Sequence, residues 1–275
     1  MNLIEKKMVD LLKELKNEHN VTGVKSEFEA EGTRMEEAMR LKEISLSAGL
    51  EMTIKVGGCE ALTNMFEAAA IGCSHLVGPM IESPYAFHKF VQSFKTVFSE
   101  EQRKDMDFLI NIETITAFNN LDAMLALPEA KELDGIVIGR VDFTGSLNLT
   151  REDINSDRVL DYSLQIAKKA KAKDMTVVVG GGVSVHSLPF FKKFPAGHLD
   201  RFETRKVVFN CPGALKNEAA SFLKAVEFEI CWLKNKKDYY GRIHKEDDIR
   251  LKMMEERYQS SIEGLSNVRQ LKKAS

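Results

Sequence analysis

The feature that most constrains the fold of this chain is a regular alternation of short apolar runs with stretches of helical periodicity. Runs such as Gly-Ile-Val-Ile-Gly at 135–139 are apolar almost throughout, which is typical of parallel strands covered on both faces. Strands are predicted on this basis at residues 21–28, 52–56, 75–80, 108–113, 135–139, 176–180 and 204–209.

Helical segments fill the intervals between these strands. Those at 35–48 and 61–71 are each followed by a glycine, the residue that most often ends a helix. The alternation predicts a parallel α/β architecture. No G-x-G-x-x-G follows the first strand, as a dinucleotide-binding open sheet would require, and a closed barrel typically takes about 250 residues. We therefore expect a (β/α)8 TIM barrel with an irregular first strand, because an N-terminal helix stands where that strand belongs.

The pattern changes after Pro212-Gly213, and no further strand is predicted. One helix is expected over 214–233 and a second over 246–263, with a break at 234–241. The chain is thereby divided into a barrel with its N-terminal helix at 1–213 and C-terminal helices at 214–275, namely the last barrel helix and an extension. The extension is either a solvated terminal helix or an arm that contacts another subunit or caps the barrel.

Charge and composition exclude several classes of partner. The 39 basic and 41 acidic residues give a net charge of −2, so there is no electrostatic basis for binding nucleic acid or an anionic membrane. No apolar run approaches the roughly 18 residues of a membrane span, and the charged, amphipathic N-terminus lacks the features of a signal peptide. We expect a cytoplasmic protein with free cysteines, since no C-x-x-C pair occurs.

Two carboxylates stand at the carboxyl ends of consecutive predicted strands, where barrel enzymes carry their catalytic groups. Glu113 ends Phe-Leu-Ile-Asn-Ile-Glu, and Asp142 follows Gly-Ile-Val-Ile-Gly-Arg-Val. Two carboxylates, waters and a chelating substrate form a common Mg²⁺ or Mn²⁺ site. The structural alternative is a helix cap for Glu113 and a loop ion pair between Asp142 and Arg140.

Further polar groups are predicted at the same end of the barrel. Lys55 lies in the apolar run Thr-Ile-Lys-Val-Gly-Gly, where it pairs with a glutamate, binds an anionic group of a substrate, or forms a Schiff base. The glycines at 180–182 are interpreted first as a tight strand-to-helix turn and second as a backbone cradle for an anion. Glu27 and Glu29 stand at the end of the first strand.

Three stretches carry a resemblance to a known family. They read HLVGPMIESPYAFHKFV at 75–91, FLINIETITAFNNLDAML at 108–125 and LDGIVIGRVDFTGSLNL at 133–149. Together with the strand of Lys55, they resemble, in order over residues 21–209, the HpcH/HpaI aldolase and citrate lyase β-subunit family.

The resemblance implies a (β/α)8 fold and a divalent metal held by Glu113 and Asp142. Members of that family bind pyruvate, oxaloacetate or a related 2-oxo acid on the metal. They then make or break a carbon–carbon bond beside it, through an enolate that the metal stabilises. Close relatives are homo-oligomers, so the resemblance implies a homo-oligomer here too.

The chain departs from the family pattern at three places. Lys55 stands where the family usually has an arginine, and a lysine cannot reproduce a bidentate clamp on a carboxylate. The histidine base of the aldolase branch is absent from the matching segment at 25–32, which leaves Glu27 or Glu29 as the base. Arg140 stands where a small residue or proline is common, which makes the site more cationic.

The sequence therefore predicts a lyase of the aldolase type that acts on a small-molecule 2-oxo acid, with Mg²⁺ or Mn²⁺ as cofactor. Two alternatives stay open: a Schiff-base aldolase using Lys55, and a non-catalytic relative that binds a ligand or serves in assembly. The predicted roles are metal binding for Glu113 and Asp142, substrate binding for Lys55, Arg140, Gly180 and Gly181, and catalysis for Lys55 with Glu27 or Glu29 as the base.

Overall fold

The computed structural model describes the backbone of residues 1–274 and the side chains of residues 1–262. Its strands are β1 (Val21–Glu27), β2 (Glu51–Lys55), β3 (His75–Gly78), β4 (Asp107–Ile112), β5 (Gly135–Gly139), β6 (Thr176–Gly180), β7 (Arg201–Glu203) and β8 (Val207–Asn210). Its α-helices are α1 (Leu3–His19), α2 (Met35–Ser47), α3 (Leu62–Ile71), α4 (Pro84–Val97), α5 (Glu100–Lys104), α6 (Ile115–Leu125), α7 (Arg140–Ser146), α8 (Asp157–Lys171), α9 (Leu188–Phe191) and α10 (Ala219–Ala274).

The strands form one closed barrel in which each strand pairs with the next and β8 pairs with β1. Every pairing from β1–β2 to β6–β7 is parallel. The carboxyl ends of β1 to β7 therefore meet at one end of the barrel, which we call the mouth. The predicted TIM-barrel fold is confirmed, with the qualification that β8 runs antiparallel to both β7 and β1. The irregularity expected at the first strand appears where β1 meets β8, as a register shift between Val21 and Gly23.

The antiparallel strand arises from a hairpin. The sequence predicts one strand at 204–209, and this is wrong, because the chain turns at residues 204–206 between β7 and β8. The Thr204 N–H donates to the Val207 carbonyl at 2.9 Å, and the Val207 N–H donates to Thr204 Oγ1 at 3.0 Å. So short a turn leaves no helix between the last two strands.

The barrel interior is apolar in the middle and polar at both ends. Val77, Leu109, Val137 and Val178, one from each of β3 to β6, form a buried cluster. At the amino ends of the strands, Nε2 of His75 lies 2.7 Å from Arg201 Nη1 and 3.2 Å from Asp107 Oδ2. The apolar cluster separates these groups from the polar side chains at the mouth.

Two features place the start of α10 beside the barrel. Phe202, on β7, stacks on Phe191 of α9 and Phe222 of α10, with ring centroids 4.7 and 6.0 Å apart. Helix α1 packs against β1 and α2. It is linked to α10 by ion pairs from Lys7 to Glu227 and from Lys224 to Glu14, both at 2.6 Å. Aromatic packing therefore places the start of α10 against β7, and the ion pairs hold α10 to α1. The chain has no helix between β7 and β8.

The C-terminal region is one helix, so the predicted pair of helices separated at 234–241 is wrong. Helix α10 continues through Gly241, because a glycine in a helix interior costs only about 1 kcal/mol relative to alanine. It begins at Ala219 rather than at 214, because Gly213–Lys216 forms a 3-10 turn. By its internal contacts the chain comprises two compact units, Met1–Cys231 and Trp232–Ser275. The first contains the whole barrel, and the second is the rest of α10.

Within the part of the chain that the structure describes, none of the helices combines the length and apolarity that crossing a membrane requires. The cysteines are free thiols, as expected.

Candidate active site

A cavity of about 680 Å³ opens at the mouth of the barrel. Its size falls within the roughly 300–1,000 Å³ of small-molecule binding sites. Groups from β1, β2 and β4 to β7 line it, together with the start of α10. The predicted site residues that line it are Glu27, Lys55, Glu113, Asp142, Gly180 and Gly181.

Glu113 directly follows β4 and is 1% exposed. Its Oε1 accepts a hydrogen bond from the Met80 N–H at 3.0 Å, and its Oε2 accepts one from Asn111 Nδ2 at 2.7 Å. Burial raises the pKa of the Glu113 carboxyl, and the charge of Asp142 raises it further, against the opposing effect of Lys55. Two carboxylates that disfavour each other's charge are a favourable environment for an added cation.

Asp142 reaches the same cavity from the first turn of α7, and its side chain is exposed. Because β4 and β5 are parallel neighbours, with Ile112 opposite Ile138, the residues that follow them lie at the same end of the barrel. The structural alternative for Glu113 is not found, since Thr114 caps α6 by accepting the Ala117 N–H at 3.1 Å. The structure thus brings the two predicted metal ligands together.

Asn111 is a site residue that the sequence analysis missed. It lies on β4, lines the cavity and is 4% exposed. Its Oδ1 is buried and has no hydrogen-bond partner among the described residues. A buried acceptor without a partner is costly, so Oδ1 is ready for a cation or a donor from a ligand. The available signal was an amide two residues before Glu113 in an otherwise apolar strand.

A buried ion cluster joins β1 and β7 near the mouth of the barrel. Nζ of Lys25 lies 2.5 Å from Glu203 Oε1 and 2.9 Å from Glu27 Oε1. Burial alone lowers the pKa of Lys25, but the two carboxylates outweigh it, so that pKa lies above its usual value. All three residues line the cavity. No local sequence pattern indicates the cluster, since Lys25 and Glu203 are 178 residues apart in the chain.

Lys55 lies at the mouth as a paired ammonium. Its Nζ is 3.3 Å from Glu29 Oε2 and 3.9 Å from Glu113 Oε2. Burial lowers the pKa of Lys55, but Glu113, Glu27 and Glu29 raise it more, so that the net shift is upward. The group is therefore a cation at neutral pH, as substrate binding requires and as Schiff-base chemistry does not.

The two candidate bases differ in position and charge environment. Glu27 lines the cavity. Burial raises the pKa of Glu27, but Lys25 lowers it more, so that the carboxyl titrates below its usual range. Glu29 is a third exposed, pairs with Lys55 and stands outside the cavity lining. Of the two, Glu27 has access to a ligand in the cavity.

Arg140 does not occupy the position that the sequence predicts for it. Its side chain is fully buried, and it donates to the carbonyls of Gly180 at 3.1 Å and Gly181 at 2.8 Å, and to Asn155 Oδ1 at 2.6 Å. Its guanidinium carbon stands 4.8 Å from the ring centroid of Phe190. Desolvation lowers the pKa of Arg140 to about 9. The donors of Arg140 are used inside the protein, which argues against the predicted substrate-binding role and against the alternative ion pair with Asp142.

The glycines at 180–182, at the end of β6, form the tight turn that the sequence analysis favoured. Gly181 and Gly182 adopt left-handed backbone angles, with φ of +80° and +62°. A Cβ at 181 would stand 2.7 Å from the backbone nitrogen of Val141. The carbonyls of Gly180 and Gly181 accept hydrogen bonds from Arg140, which holds the turn in place.

The oxygen donors at the mouth fit a divalent cation. Glu113 and Asp142 supply carboxylates, and Asn111 supplies an amide oxygen without a partner. Hard cations such as Mg²⁺ and Mn²⁺ prefer such ligands and retain waters or substrate oxygens. Among the described residues, no group of three or more His, Cys, Asp and Glu is arranged to hold a metal. Two carboxylates and one amide oxygen would leave coordination positions for waters or a chelating substrate.

Comparison with known proteins places the chain in a family. The model of HpcH/HpaI aldolase/citrate lyase matches residues 31–181. This chain belongs to the HpcH/HpaI aldolase/citrate lyase family. Members of the family are aldolases and lyases that generally use divalent metal ions. No curated protein sequence matches the chain.

Solved structures share the fold at low sequence identity. An HpcH/HpaI aldolase/citrate lyase family protein from Burkholderia cenocepacia J2315 is 13% identical, with a TM-score of 0.58 over 89% of this chain and 92% of that one. An HpcH/HpaI aldolase from Desulfitobacterium hafniense DCB-2 is 12% identical, with a TM-score of 0.57 over 70% and 79%. The citrate synthase SbnG is 12% identical, with a TM-score of 0.57 over 84% and 90%. At these identities the likeness concerns the fold alone.

Proposed function

We propose that this protein is a metal-dependent carbon–carbon lyase of the aldolase type that acts on a small-molecule 2-oxo acid. The observation that supports this most is that Glu113, Asp142 and Asn111 line one cavity at the carboxyl ends of the strands, and that Asn111 Oδ1 has no hydrogen-bond partner among the described residues. Members of the family generally use divalent metal ions, and oxygen ligands such as these suit Mg²⁺ or Mn²⁺. When bound, the cation supplies positive charge against the negative charge that develops on the oxygens of the substrate.

The roles of the surrounding residues follow from their charge and position. Glu113 and Asp142 hold the cation. Lys55, an ammonium at the edge of the same cavity, attracts and orients the carboxylate of the oxo acid. Glu27 is the candidate base, because it is ionised and lines the cavity. The Lys25 cluster fixes the position of Glu27 through the 2.9 Å contact.

The alternatives are weaker on physical grounds. A Schiff-base lysine needs a lowered pKa to be a free amine, whereas the pKa of Lys55 is raised. A non-catalytic relative would keep the cavity and bind a ligand without turnover.

The prediction of a homo-oligomer rests on the family resemblance, and sedimentation of the purified protein tests it.

Calorimetric titration of the chelator-stripped protein with Mg²⁺ and Mn²⁺, with and without pyruvate or oxaloacetate, tests the proposal. The wild type is compared with Asp142→Ala and Glu113→Ala. The matched control is Asp161→Ala, which removes an exposed aspartate outside the cavity. We expect the oxo acid to bind only with metal present, and binding to be lost in the two site variants but kept in the control.

Other outcomes have distinct meanings. If Glu113→Ala leaves both metal and oxo-acid binding intact, the proposed metal site is wrong. If binding is normal but no oxo acid is cleaved or condensed with any aldehyde of a broad panel, the non-catalytic relative is the better description.

A further inference from the structure

The lining of the cavity has two parts. The first, the charged end, carries the charged groups and Asn111 described above. The second, the apolar end, comes from the turn that follows β6 and the first turns of α10. It contributes the apolar Val183, Val185, Phe222, Leu223 and Val226, and also the polar Ser184, His186, Arg205 and Glu229.

The α10 side of the apolar end exposes side chains that a soluble protein usually covers. Leu223 is 69% exposed and Val226 is 50% exposed, and both face the cavity. Phe222 beside them is 5% exposed and stacks on Phe202 and Phe209, with centroids 6.0 and 5.7 Å apart. The exposed pair therefore stands on a well-packed base and forms a wall that exists before any ligand arrives.

The hairpin between β7 and β8 explains why this wall belongs to the cavity. A standard barrel would place a helix after β7, but here the chain turns at residues 204–206. Helix α10 packs beside β7 instead, so its first turns reach the mouth. The ion pairs from α10 to α1 hold the helix there. In addition, Arg205 of the turn between β7 and β8 lies 3.8 Å from Glu229 of α10.

The volume also points beyond a small acid. Pyruvate has six heavy atoms and oxaloacetate nine, whereas cavities of roughly 300–1,000 Å³ accommodate ligands of drug size. The cavity of about 680 Å³ is therefore larger than either acid needs. A ligand that extended from the charged end to Leu223 and Val226 would cover apolar surface there, which is favourable.

We propose that the substrate is an anionic 2-oxo acid, or the aldol formed from one, that carries an extended apolar chain or ring. This rests on the proposed function for the identity of the charged head. The head lies among Asn111, Glu113, Asp142 and Lys55, and the apolar part lies along the wall formed by Phe222, Leu223 and Val226. Those α10 side chains determine specificity and take no part in the chemistry.

Titration of the metal-loaded protein with pyruvate, 2-oxooctanoate and octanoate tests the inference. The variants are Leu223→Ser and Val226→Ser. The matched control is Ile230→Ser, which removes a 45% exposed side chain of the same helix outside the cavity lining. We expect 2-oxooctanoate to bind at least about tenfold more tightly than pyruvate, since several methylenes become buried. Leu223→Ser and Val226→Ser should each weaken the binding of 2-oxooctanoate severalfold and leave the binding of pyruvate unchanged. Ile230→Ser should leave the binding of both ligands unchanged.

The two proposals fail in different ways. If pyruvate and 2-oxooctanoate bind equally, or if Leu223→Ser weakens both alike, the apolar subsite is wrong while the proposed function stands. If neither oxo acid binds but octanoate binds in a Leu223-dependent manner, the proposed function fails and the subsite for an apolar anion stands. If none of the three binds, both are overturned.

Discussion

Gly139, the last residue of β5, packs directly against the side chain of Glu113, which follows β4. A methyl group at position 139 would lie 2.7 Å from both Cβ and Oε2 of Glu113. Contacts that short do not occur between real side chains, so the carboxylate keeps its place only because residue 139 is glycine. The two strands are parallel neighbours, and the close approach fixes where Glu113, a proposed metal ligand, stands relative to the end of β5.

The first prediction follows from that contact. Gly139→Ala should displace the Glu113 carboxylate and weaken Mg²⁺ or Mn²⁺ binding by about tenfold or more without removing a charge. The control is Gly145→Ala in α7, where an added Cβ meets nothing within 4 Å. Metal titration of both variants checks it. Equal metal affinity in Gly139→Ala and wild type would mean that Glu113 does not bind the cation.

Much of the fold is predictable because local signals and the parallel architecture agree. Strands such as β5 and β6 are continuous apolar runs with small residues at their ends, and their bounds match the expectation. The hairpin at residues 204–206 escaped detection, because Thr-Arg-Lys contains none of the glycine, proline or asparagine residues that mark turns. The continuity of α10 was not predicted, because Gly241 was interpreted as the end of a helix. A glycine inside a helix costs only about 1 kcal/mol of stability relative to alanine, so the helix continues through it.

The site is predictable only where a residue's role depends on its own strand. Glu113 and Asp142 stand directly after apolar strands, so both their position and their convergence could be inferred. The position of Arg140 could not, because the carbonyls that it binds belong to Gly180 and Gly181, forty residues away in the chain. The same holds for the pairing of Lys25 with Glu203. Contacts across the barrel are created by its closure and leave no local pattern.

The second prediction concerns that buried cluster. Lys25→Met leaves Glu27 and Glu203 buried without their cation, and breaking a buried ion pair typically costs about 3–5 kcal/mol. The free energy of unfolding in urea should fall by this amount at neutral pH. Without Lys25, the effect of burial, which raises the pKa of Glu27, meets less opposition, so the variant should regain stability as the pH is lowered.

A second substitution makes the test specific. Adding Glu203→Gln to Lys25→Met removes one of the two stranded charges and should restore part of the lost stability. If the double variant is no more stable than Lys25→Met, the loss comes from packing and not from charge.

The third prediction concerns Arg140. Arg140→Lys keeps a positive charge but loses the planar set of donors that binds the carbonyls of Gly180 and Gly181. We expect it to destabilise the protein by about 1–3 kcal/mol, the cost of leaving buried carbonyls without partners. Urea unfolding measures this. An unchanged stability together with lost oxo-acid binding would instead restore the substrate-binding role predicted from the sequence.

The fourth prediction is that Lys55 forms no Schiff base. Its Nζ is paired with Glu29 Oε2 at 3.3 Å, which favours the ammonium form, and an ammonium cannot attack a carbonyl carbon. Borohydride treatment with pyruvate should therefore give no covalent adduct by mass spectrometry. An adduct that disappears in Lys55→Met would show that the amine, and not the metal, activates the substrate.

The last prediction concerns the base. Exchange of the methyl protons of pyruvate for deuterium, followed by NMR, reports proton removal without requiring the acceptor. Glu27→Gln should slow metal-dependent exchange by about a hundredfold, a typical contribution of a positioned base. Glu29→Gln should change it little, because Glu29 stands outside the cavity lining and is matched to Glu27 in charge and size.

The pH profile of the exchange rate tests whether Glu27 is the base. A base works when ionised, and the pKa of Glu27 is held below its usual value, with Lys25 as the largest stabilising influence. At saturating metal, which keeps Glu113 ionised, the exchange rate should therefore stay constant as the pH falls past the ordinary range of a glutamate and decline only at more acidic pH. A large loss of exchange in His186→Asn, without one in Glu27→Gln, would transfer the role to His186, the histidine that lines the cavity from the turn after β6.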